Sequence, residues 1–203
     1  MFIAKTPAFL QFLMPGYTWR VPTPEKTLFL TFDDGPIPEV TPWVLETLRT
    51  HAAKATFFCV GDNVRKHPEV FEQVLQGDHA VGNHTFNHLN GWKTDTAVYL
   101  QNVAQCQETF SSNLFRPPYG RLKPAQRKAL GSQYRIIMWD VLSGDFSAKI
   151  SPEKCLQQVL KYTHPGSIIV LHDSLKAERN LRFVLPRILE HFDNQGFRFD
   201  KLI

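Results

Sequence analysis

Two neighbouring aspartates are the first residues of the sequence that are suited to chemistry. Asp33 and Asp34 lie in Thr-Phe-Asp-Asp-Gly-Pro, residues 31–36, directly after the apolar run 27–30. Like charges this close disfavour joint ionisation, so one carboxylate must be neutralised, paired or bound to a cation. The Gly-Pro pair ends the strand at a turn, which places both aspartates at the mouth of a sheet, where ligands commonly bind. Taken alone, the segment fits an acidic turn that caps the next helix equally well.

Two histidines four residues apart, His84 and His88, suggest a metal site. On one face of a helical turn, both imidazoles reach one ion. Zinc and similar divalent metals bind imidazole nitrogen and carboxylate oxygen at about 2.0–2.2 Å. Two surface histidines on a loop explain the pair alone as well, but the upstream aspartates supply a third ligand. Two histidines and one carboxylate make a catalytic ligand set, because this set leaves positions open for water and substrate.

A stiff loop with one arginine follows at residues 116–120, Arg-Pro-Pro-Tyr-Gly. Its two prolines fix the backbone and remove main-chain donors. Arg116 can hold a carboxylate through two parallel hydrogen bonds, which keeps that carboxylate ionised and aimed. The main-chain N–H of Tyr119 is then one of the few free donors and is suited to an oxyanion. A rigid surface turn is the more common explanation of such a loop taken alone.

Two later segments combine acids, aromatic residues and one histidine. Asp140 and Asp145 lie in one short stretch, beside the large aromatics Trp139 and Phe146. Aromatics at strand ends are more often core, but aromatics that flank acids suit a pocket with one apolar wall and one charged partner. His172 ends a later apolar run. It is either a satisfied core residue or, with a carboxylate neighbour that keeps it protonated, a general acid.

Strand-like segments that carry these residues alternate with helical ones. Apolar or β-branched runs predict strands at Thr27–Phe32, Ala55–Val60, Asp78–Asn83, Asn113–Arg116, Tyr134–Trp139, Ser167–Leu171 and Gly196–Phe199. Helical periodicity and prolines near helix starts predict helices at Pro42–Thr50, Asn63–Gln76, Thr94–Phe110, Pro124–Leu130, Pro152–Tyr162 and Leu181–Phe192. This alternation, without a composition break, predicts a single α/β domain with a parallel sheet. About seven strands are too few for a regular eight-fold barrel and fit an incomplete barrel or an open sheet.

Length and composition argue against several broad classes of protein. The chain has 203 residues, which suits one domain with a sizeable core. Its net charge of +4 is mild, and lysines and arginines are spread along the chain, so nucleic-acid binding is not expected. No stretch reaches the roughly 18 apolar residues of a membrane span. The sequence has three cysteines, an odd number with no closely spaced pair, so a disulfide framework is not favoured.

Residues 1–22 form a predicted N-terminal extension of the domain that spans residues 1–203. The apolar stretch 8–14 is too short and interrupted for a good signal-peptide core, and no small-residue cleavage site follows. A docking helix is the favoured interpretation, and a remnant of a removed leader or a surface anchor are the alternatives. Without a clear signal peptide, a cytoplasmic location is slightly favoured over the cell envelope.

Together and in this order, the segments resemble the polysaccharide deacetylase family, also called the NodB-homology family of carbohydrate esterases. The match runs over residues 31–173, through Thr-Phe-Asp-Asp-Gly-Pro, the histidine pair, Arg-Pro-Pro-Tyr-Gly and Leu-His-Asp. The resemblance implies a distorted, incomplete (β/α) barrel and an enzyme that removes N-acetyl or O-acetyl groups from an acetylated glycan. The implied cofactor is a divalent metal, with zinc first and cobalt, nickel or manganese as alternatives. We expect the protein to be a monomer.

The resemblance also implies roles for individual residues around the metal. Asp34, His84 and His88 look like the three metal ligands. Asp33 looks like the general base that takes a proton from the attacking water. Arg116 would hold and orient Asp33, so that the two adjacent aspartates have different tasks.

Other implied roles concern the leaving group and the oxyanion. His172 would be the general acid that protonates the leaving amine, with Asp145 as its tuning partner. Asp140 is a second candidate for that tuning role. The main-chain N–H of Tyr119 would hold the oxyanion.

A further set of residues would contact the acetyl group. Phe146, with Val170 or Leu171, would form the wall of the methyl pocket, and Trp139 would contact the substrate. The family often has Asp-Trp where this chain has Asp-Phe at residues 145–146, which predicts a methyl pocket of different shape. Two alternative functions stay open: an amidohydrolase of the same fold that acts on a small non-sugar amide, and a non-catalytic glycan-binding protein.

Overall fold

Parallel strands whose side chains are buried on both faces form the centre of the protein. The computed structural model describes residues 3–203. Every position of β1, Thr27–Asp33, is buried, as expected for a parallel strand that is covered on both sides. The later strands are Ala55–Cys59 (β2), Ala80–Asn83 (β3), Leu114–Phe115 (β4), Arg135–Ile136 (β5), Val141–Leu142 (β6), Ile168–His172 (β7) and Arg198–Phe199 (β8). Their order is β5-β4-β3-β2-β1-β7-β6, with β8 paired to the start of β1, and the pairs are parallel.

A short link joins the two edges of this sheet and curls it into an incomplete barrel. β5 and β6 stand at opposite ends of the strand order, although only residues 137–140 separate them in the chain. The N–H of Ile137 donates to the carbonyl of Phe115 in β4 at 2.8 Å, and the N–H of Asp140 donates to Ile168 in β7 at 3.0 Å. The predicted fifth strand is therefore too long, because its second half crosses from one sheet edge to the other. The predicted distorted, incomplete barrel is confirmed.

Helices connect the strands and cover the outside of the barrel. Within residues 3–203 they are Ala8–Leu13 (α1), Thr41–Thr50 (α2), Gly61–Lys66 (α3), Pro68–Gln76 (α4), Thr96–Thr109 (α5), Pro124–Leu130 (α6), Pro152–Tyr162 (α7) and Glu178–Asp193 (α8). Prolines lie in the first turn of α2, α4, α6 and α7. The missing N–H of proline costs no hydrogen bond there, because the first N–H groups of a helix have no partner within the helix. The predicted single helix Asn63–Gln76 is wrong, because Pro68 lacks an N–H and its ring clashes with a preceding turn. The chain breaks there into α3 and α4.

Side chains of β1 alternate between the outer helices and the barrel interior. Leu30 and Phe32 belong to the large core cluster that includes the apolar face of α8. Phe29 belongs to a separate, smaller cluster inside the barrel. Because a strand has a period of two, Thr31 and Asp33 share the interior side with Phe29. The alternation thus delivers one carboxylate to the interior at the end of the strand.

An N-terminal strap, residues 3–20, runs along the junction between the two sheet edges. Lys5 forms an antiparallel bridge with Val141 of β6, and Thr18 forms a parallel bridge with Ile137, next to β5. The predicted helix of the extension is present as α1 and lies between these two attachments. The first two residues of the extension lie outside the described residues. Among residues 3–203, none of the helices is long and apolar enough to cross a membrane.

Candidate active site

Residues predicted to do chemistry collect at one end of the barrel. In a parallel sheet, the carboxyl ends of all strands meet at the same edge, and ligands bind there. The residues lie at the ends of β1 and β7 or in the loops after β3, β4 and β6: Asp33, Asp34, His84, His88, Arg116, Asp145 and His172. A cavity of about 680 Å³ covers this end and is lined by Asp33, Asp34, His84, His88 and His172 among others.

Arg116 holds Asp33 from inside the barrel. Its guanidinium is fully buried, and Nη1 donates to Asp33 Oδ1 and to Thr31 Oγ1, both at 2.7 Å. Nε and Nη2 donate to the main-chain carbonyls of Ile137 and Met138 at 3.3 and 3.0 Å. Arg116 therefore holds Asp33 through Nη1 alone, not through two parallel bonds, because Nε and Nη2 donate to the barrel wall. Burial lowers the pKa of Arg116, while the Asp33 carboxylate opposes this shift.

Asp34, His84 and His88 form a compact cluster of possible metal ligands. Nε2 of His88 lies 3.1 Å from Asp34 Oδ1, and Nε2 of His84 lies 3.8 Å from the same oxygen. The donor atoms of all three residues lie within 4.8 Å of one another. Two ligands at about 2.1 Å from one ion are at most about 4.2 Å apart, so both measured separations fit a shared divalent ion.

The histidine pair lies in an irregular loop, so the predicted helical turn is wrong. Thr85 and His88 have φ angles of 64° and 55°, in the left-handed region that side chains rarely adopt. Asn83 supports this loop, because its Oδ1 accepts from the N–H of Thr85 at 2.9 Å. The strained backbone is held by such side-chain bonds and brings both imidazoles onto Asp34.

Protonation states in the cluster suit metal binding. Burial lowers the pKa of His84 to about 4, which keeps its ring neutral at pH 7. Nδ1 of His84 lies 2.7 Å from the carbonyl of Arg116, so Nδ1 carries the proton and the Nε2 lone pair is left for a ligand bond. Burial disfavours the Asp34 carboxylate, but the hydrogen bond from His88 and the positive charge of His172 hold the pKa of Asp34 well below its usual value. Neutral imidazoles and an ionised carboxylate are the forms that bind zinc.

His172, at the end of β7 beside the end of β1, is paired with Asp145. Nδ1 of His172 lies 2.8 Å from Asp145 Oδ1, and the main-chain N–H of His172 donates to Oδ2 at 2.7 Å. Burial alone would lower the pKa of His172, but the Asp145 carboxylate and the more distant Asp34 and Asp33 raise it to about 9. Asp140 instead contacts Lys5 at 2.7 Å, so Asp145 is the partner of His172.

Asp173, a residue that sequence reasoning did not assign, holds the turn after the aspartate pair. Its Oδ1 accepts from the N–H of Gly35 at 3.1 Å, and its Oδ2 accepts from Thr41 Oγ1 at 2.6 Å. A Cβ added to Gly35 would lie 2.0 Å from Asp173 Oδ2, so this approach requires glycine. The Leu-His-Asp motif was a signal for this contact, because its aspartate directly follows a strand end beside β1.

Four of the predicted substrate-contact residues line the cavity: Tyr119, Trp139, Phe146 and Val170. The Tyr119 side chain is 59% exposed and packs on the His88 ring with centroids 4.7 Å apart. Phe146 meets the His172 ring edge-on at 5.0 Å. Leu171 belongs to the outer core cluster, so its predicted place in the methyl pocket is wrong. The reason is the period of two along β7, which directs Val170 and Leu171 to opposite faces.

Comparison with known proteins agrees with this geometry. The family model for polysaccharide deacetylase matches residues 20–134. A peptidoglycan-N-acetylglucosamine deacetylase of Bacillus cereus is 35% identical over 192 residues, 91% of this chain and 90% of that protein. A chitooligosaccharide deacetylase of Azorhizobium caulinodans is 34% identical over 166 residues, 78% of this chain and 79% of that protein. The crystal structure of the Bc1960 peptidoglycan N-acetylglucosamine deacetylase, in complex with a naphthalenyl N-oxidanyl-benzamide, superposes with a TM-score of 0.88 at 30% identity, covering 97% of this chain and 95% of that one. This chain therefore belongs to the polysaccharide deacetylase family.

Proposed function

We propose that the protein hydrolyses the N-acetyl groups of amino sugars in a polysaccharide or oligosaccharide, and releases acetate. One observation carries this proposal. Asp33, held by a buried arginine, and His172, held by a buried aspartate, line the same cavity as the Asp34, His84 and His88 cluster. An amide needs a base for the attacking water and a separate acid for the leaving amine, and this cavity offers both. The names of the relatives support a glycan as the substrate.

A divalent metal ion would be held by Asp34, His84 and His88, and we propose zinc, with cobalt, nickel or manganese as alternatives. When bound, such an ion acts as a Lewis acid that favours ionisation of water and polarises a carbonyl group. The distances among the three side chains and the protonation states of His84 and Asp34 fit this group, as described above.

The side chains of this chain would then move the protons. Asp33 accepts a proton from the attacking water, and Arg116 fixes the position of that carboxylate. Asp145 occupies Nδ1 of His172, so His172 donates its proton from Nε2 to the leaving nitrogen. The carbon–oxygen bond forms and the carbon–nitrogen bond breaks, which yields acetate and a free amine. The main-chain N–H of Tyr119 would stabilise the oxyanion.

The acetyl methyl group would lie against Phe146, Val170 and Trp139. All three line the cavity, and Phe146 contacts the ring of His172. These side chains would exclude water around the acyl group and strengthen the electrostatic contacts of the site.

Acetate release from acetylated glycans tests the proposal. Chito-oligosaccharides, peptidoglycan glycan strands and small non-sugar amides are incubated with the protein, with chelator, and with zinc added back. We expect acetate from a glycan, its loss with chelator and its return with zinc. Asp33→Asn should keep bound zinc but lose about 10²–10⁴-fold in turnover, since general base catalysis supplies about that much.

The control for that variant is Glu108→Gln, an exposed carboxylate on α5. It should retain both zinc and activity. Full activity of Asp33→Asn would exclude Asp33 as the base. Hydrolysis of small amides but of no glycan would replace the proposed substrate, and bound glycan without hydrolysis would make the protein a glycan-binding one.

A further inference from the structure

One part of the active-site cavity is apolar and has no role in the deacetylation described above. Besides the catalytic side chains, the cavity is lined by an apolar wall: Ile3, Pro7, Leu10, Trp19, Met138 and Leu142. Four of these six residues belong to the N-terminal strap. The volume of about 680 Å³ lies within the range of about 300–1,000 Å³ that is typical of whole small-molecule sites. An acetyl group alone leaves this wall without a ligand.

The apolar wall is continuous with the proposed methyl pocket. Val170, which lines that pocket, is the register partner of Leu142 in the neighbouring strand β6. The N–H of Leu142 donates to the carbonyl of Ala4 at 2.8 Å, which seats the strap directly against β6. A chain that starts at the methyl position therefore meets Leu142 and then the strap.

Polar groups of the strap bind the barrel. Lys5 Nζ lies 2.7 Å from Asp140, and Thr6 Oγ1 donates to the carbonyl of Trp139 at 2.8 Å. The N–H of Thr6 donates to the carbonyl of Asp140 at 3.0 Å. Because these polar groups are already bonded to the barrel, the strap presents mainly apolar side chains to the cavity, and these suit a hydrocarbon ligand. A polar ligand would lose hydrogen bonds to water on this wall, whereas an apolar one would not.

Resting on the proposed function, we propose that the enzyme also hydrolyses N-acyl amino sugars whose acyl group is longer than acetyl, such as propionyl and butyryl. The additional carbons lie against the apolar wall, while the amide occupies the same position between Asp33 and His172. The reaction is the same hydrolysis: water adds to the acyl carbon, the carbon–nitrogen bond breaks, the amine takes up the proton, and the longer carboxylate leaves. Each buried methylene favours the bound state by about fourfold.

The test compares acyl lengths on one glycan. The release of free amine is measured for chitotetraose that carries N-acetyl, N-propionyl or N-butyryl groups, so that one assay reports all three. We expect kcat/KM for the butyryl substrate to equal or exceed that for the acetyl substrate. Leu10→Trp, which fills the wall, should lower the butyryl-to-acetyl ratio at least tenfold. Ile3→Trp repeats the test at a position that is 63% exposed and can accept a larger side chain without repacking a core.

Leu13→Trp is the matched control. Leu13 lies on the same helix as Leu10, is 66% exposed and does not line the cavity, so the same added bulk should leave the ratio unchanged. A butyryl substrate that is cleaved more than a hundredfold more slowly than the acetyl one, with ratios unmoved by both wall variants, would overturn the inference.

Two other outcomes separate this inference from the proposed function. If the wall variants instead change the dependence of deacetylation on glycan length, the wall holds a second sugar and the inference is wrong. If no acyl length yields amine from any glycan, the proposed function fails together with it. Cleavage of N-butyryl but not of N-acetyl glycans would support the proposed role of the apolar wall and refute N-acetyl groups as the substrate.

Discussion

At the scale of single residues, the site gives each of two adjacent carboxylates its own nitrogen partner. Asp33 contacts the guanidinium of Arg116 at 2.7 Å, and Asp34 contacts the imidazole of His88 at 3.1 Å. Like charges this close disfavour joint ionisation unless each finds an opposite charge or a hydrogen-bond donor. The period of two along β1 sends Asp33 to the interior, and the left-handed backbone of Asp34, with φ of 83°, turns the chain away after it. The separation suits the two different roles that we propose, base for Asp33 and metal ligand for Asp34.

Asp145→Asn should move the alkaline limit of activity to lower pH. Burial lowers the pKa of His172, but the Asp145 carboxylate, more than any other group, raises it to about 9. A general acid works only below its pKa, so wild-type activity should fall as pH rises towards 9. Without the charge of Asp145, the imidazolium loses its stabilisation and deprotonates at lower pH. The measurement is kcat/KM against pH, fitted for the alkaline midpoint.

The matched control is Asp140→Asn, which removes a buried carboxylate that contacts Lys5 and not His172. The alkaline midpoint of its pH profile should equal that of the wild type, even if the variant is less stable. An unchanged midpoint in Asp145→Asn would show that another group sets the alkaline limit.

At the scale of elements, the turn after β1 holds Asp34 in place through the close contact between Gly35 and Asp173. Gly35→Ala should destabilise the fold and reduce bound zinc, since the new Cβ would lie 2.0 Å from Asp173 Oδ2. Relief of such an overlap costs about 1–3 kcal/mol and shifts the backbone next to Asp34. Urea unfolding and the zinc content of the purified protein report the two effects.

Gly131→Ala is the control for this variant. The nearest atom to its added Cβ is the Arg127 carbonyl oxygen at 3.1 Å, and Gly131 has a helical φ of −66°. Its unfolding free energy and zinc content should stay close to those of the wild type. If Gly35→Ala behaves in the same way, the Asp173 contact does not hold the turn.

Elements could be predicted from the sequence where a local residue pattern determines the structure. They could not be predicted where contacts with distant strands or loops determine it. The run Thr27–Phe32 is apolar or β-branched throughout, which marks a buried parallel strand, and β1 is one residue longer. The break at Pro68 carried a local signal that the helical periodicity around it concealed. The left-handed conformation of His88, with φ of 55°, has no such signal: the loop before it is held by Asn102 of α5, whose Oδ1 accepts from the N–H groups of Phe86 and Asn87 at 3.0 Å. The same holds for Leu171, whose face depends on the register of β7 with β1.

At the scale of the whole molecule, the N-terminal strap completes a barrel that its strands leave open. Asp140, in the link between β5 and β6, accepts from Lys5 and from Ser167 Oγ, both at 2.7 Å, and from Gln11 at 3.1 Å. Lys5 precedes α1 and Gln11 lies within it, so this buried carboxylate ties the start and the middle of the strap to the link. No pattern in residues 1–22 indicated this partner, because it lies more than a hundred residues away in the chain.

Lys5→Ala should therefore lower the free energy of unfolding by about 1–3 kcal/mol, the cost of leaving a buried polar group without one of its partners. Asp140 keeps its bonds from Ser167 and Gln11, which is why we expect this range and not the larger cost of an isolated buried charge. Because Asp140 is only 1% exposed, high salt should not abolish the difference, as it would for a surface pair. Urea unfolding at low and high salt measures this, with Lys149→Ala at an exposed position as the control. Equal stability of Lys5→Ala and the control would mean that the other contacts of the strap hold it, and the apolar wall with it, without the Lys5–Asp140 pair.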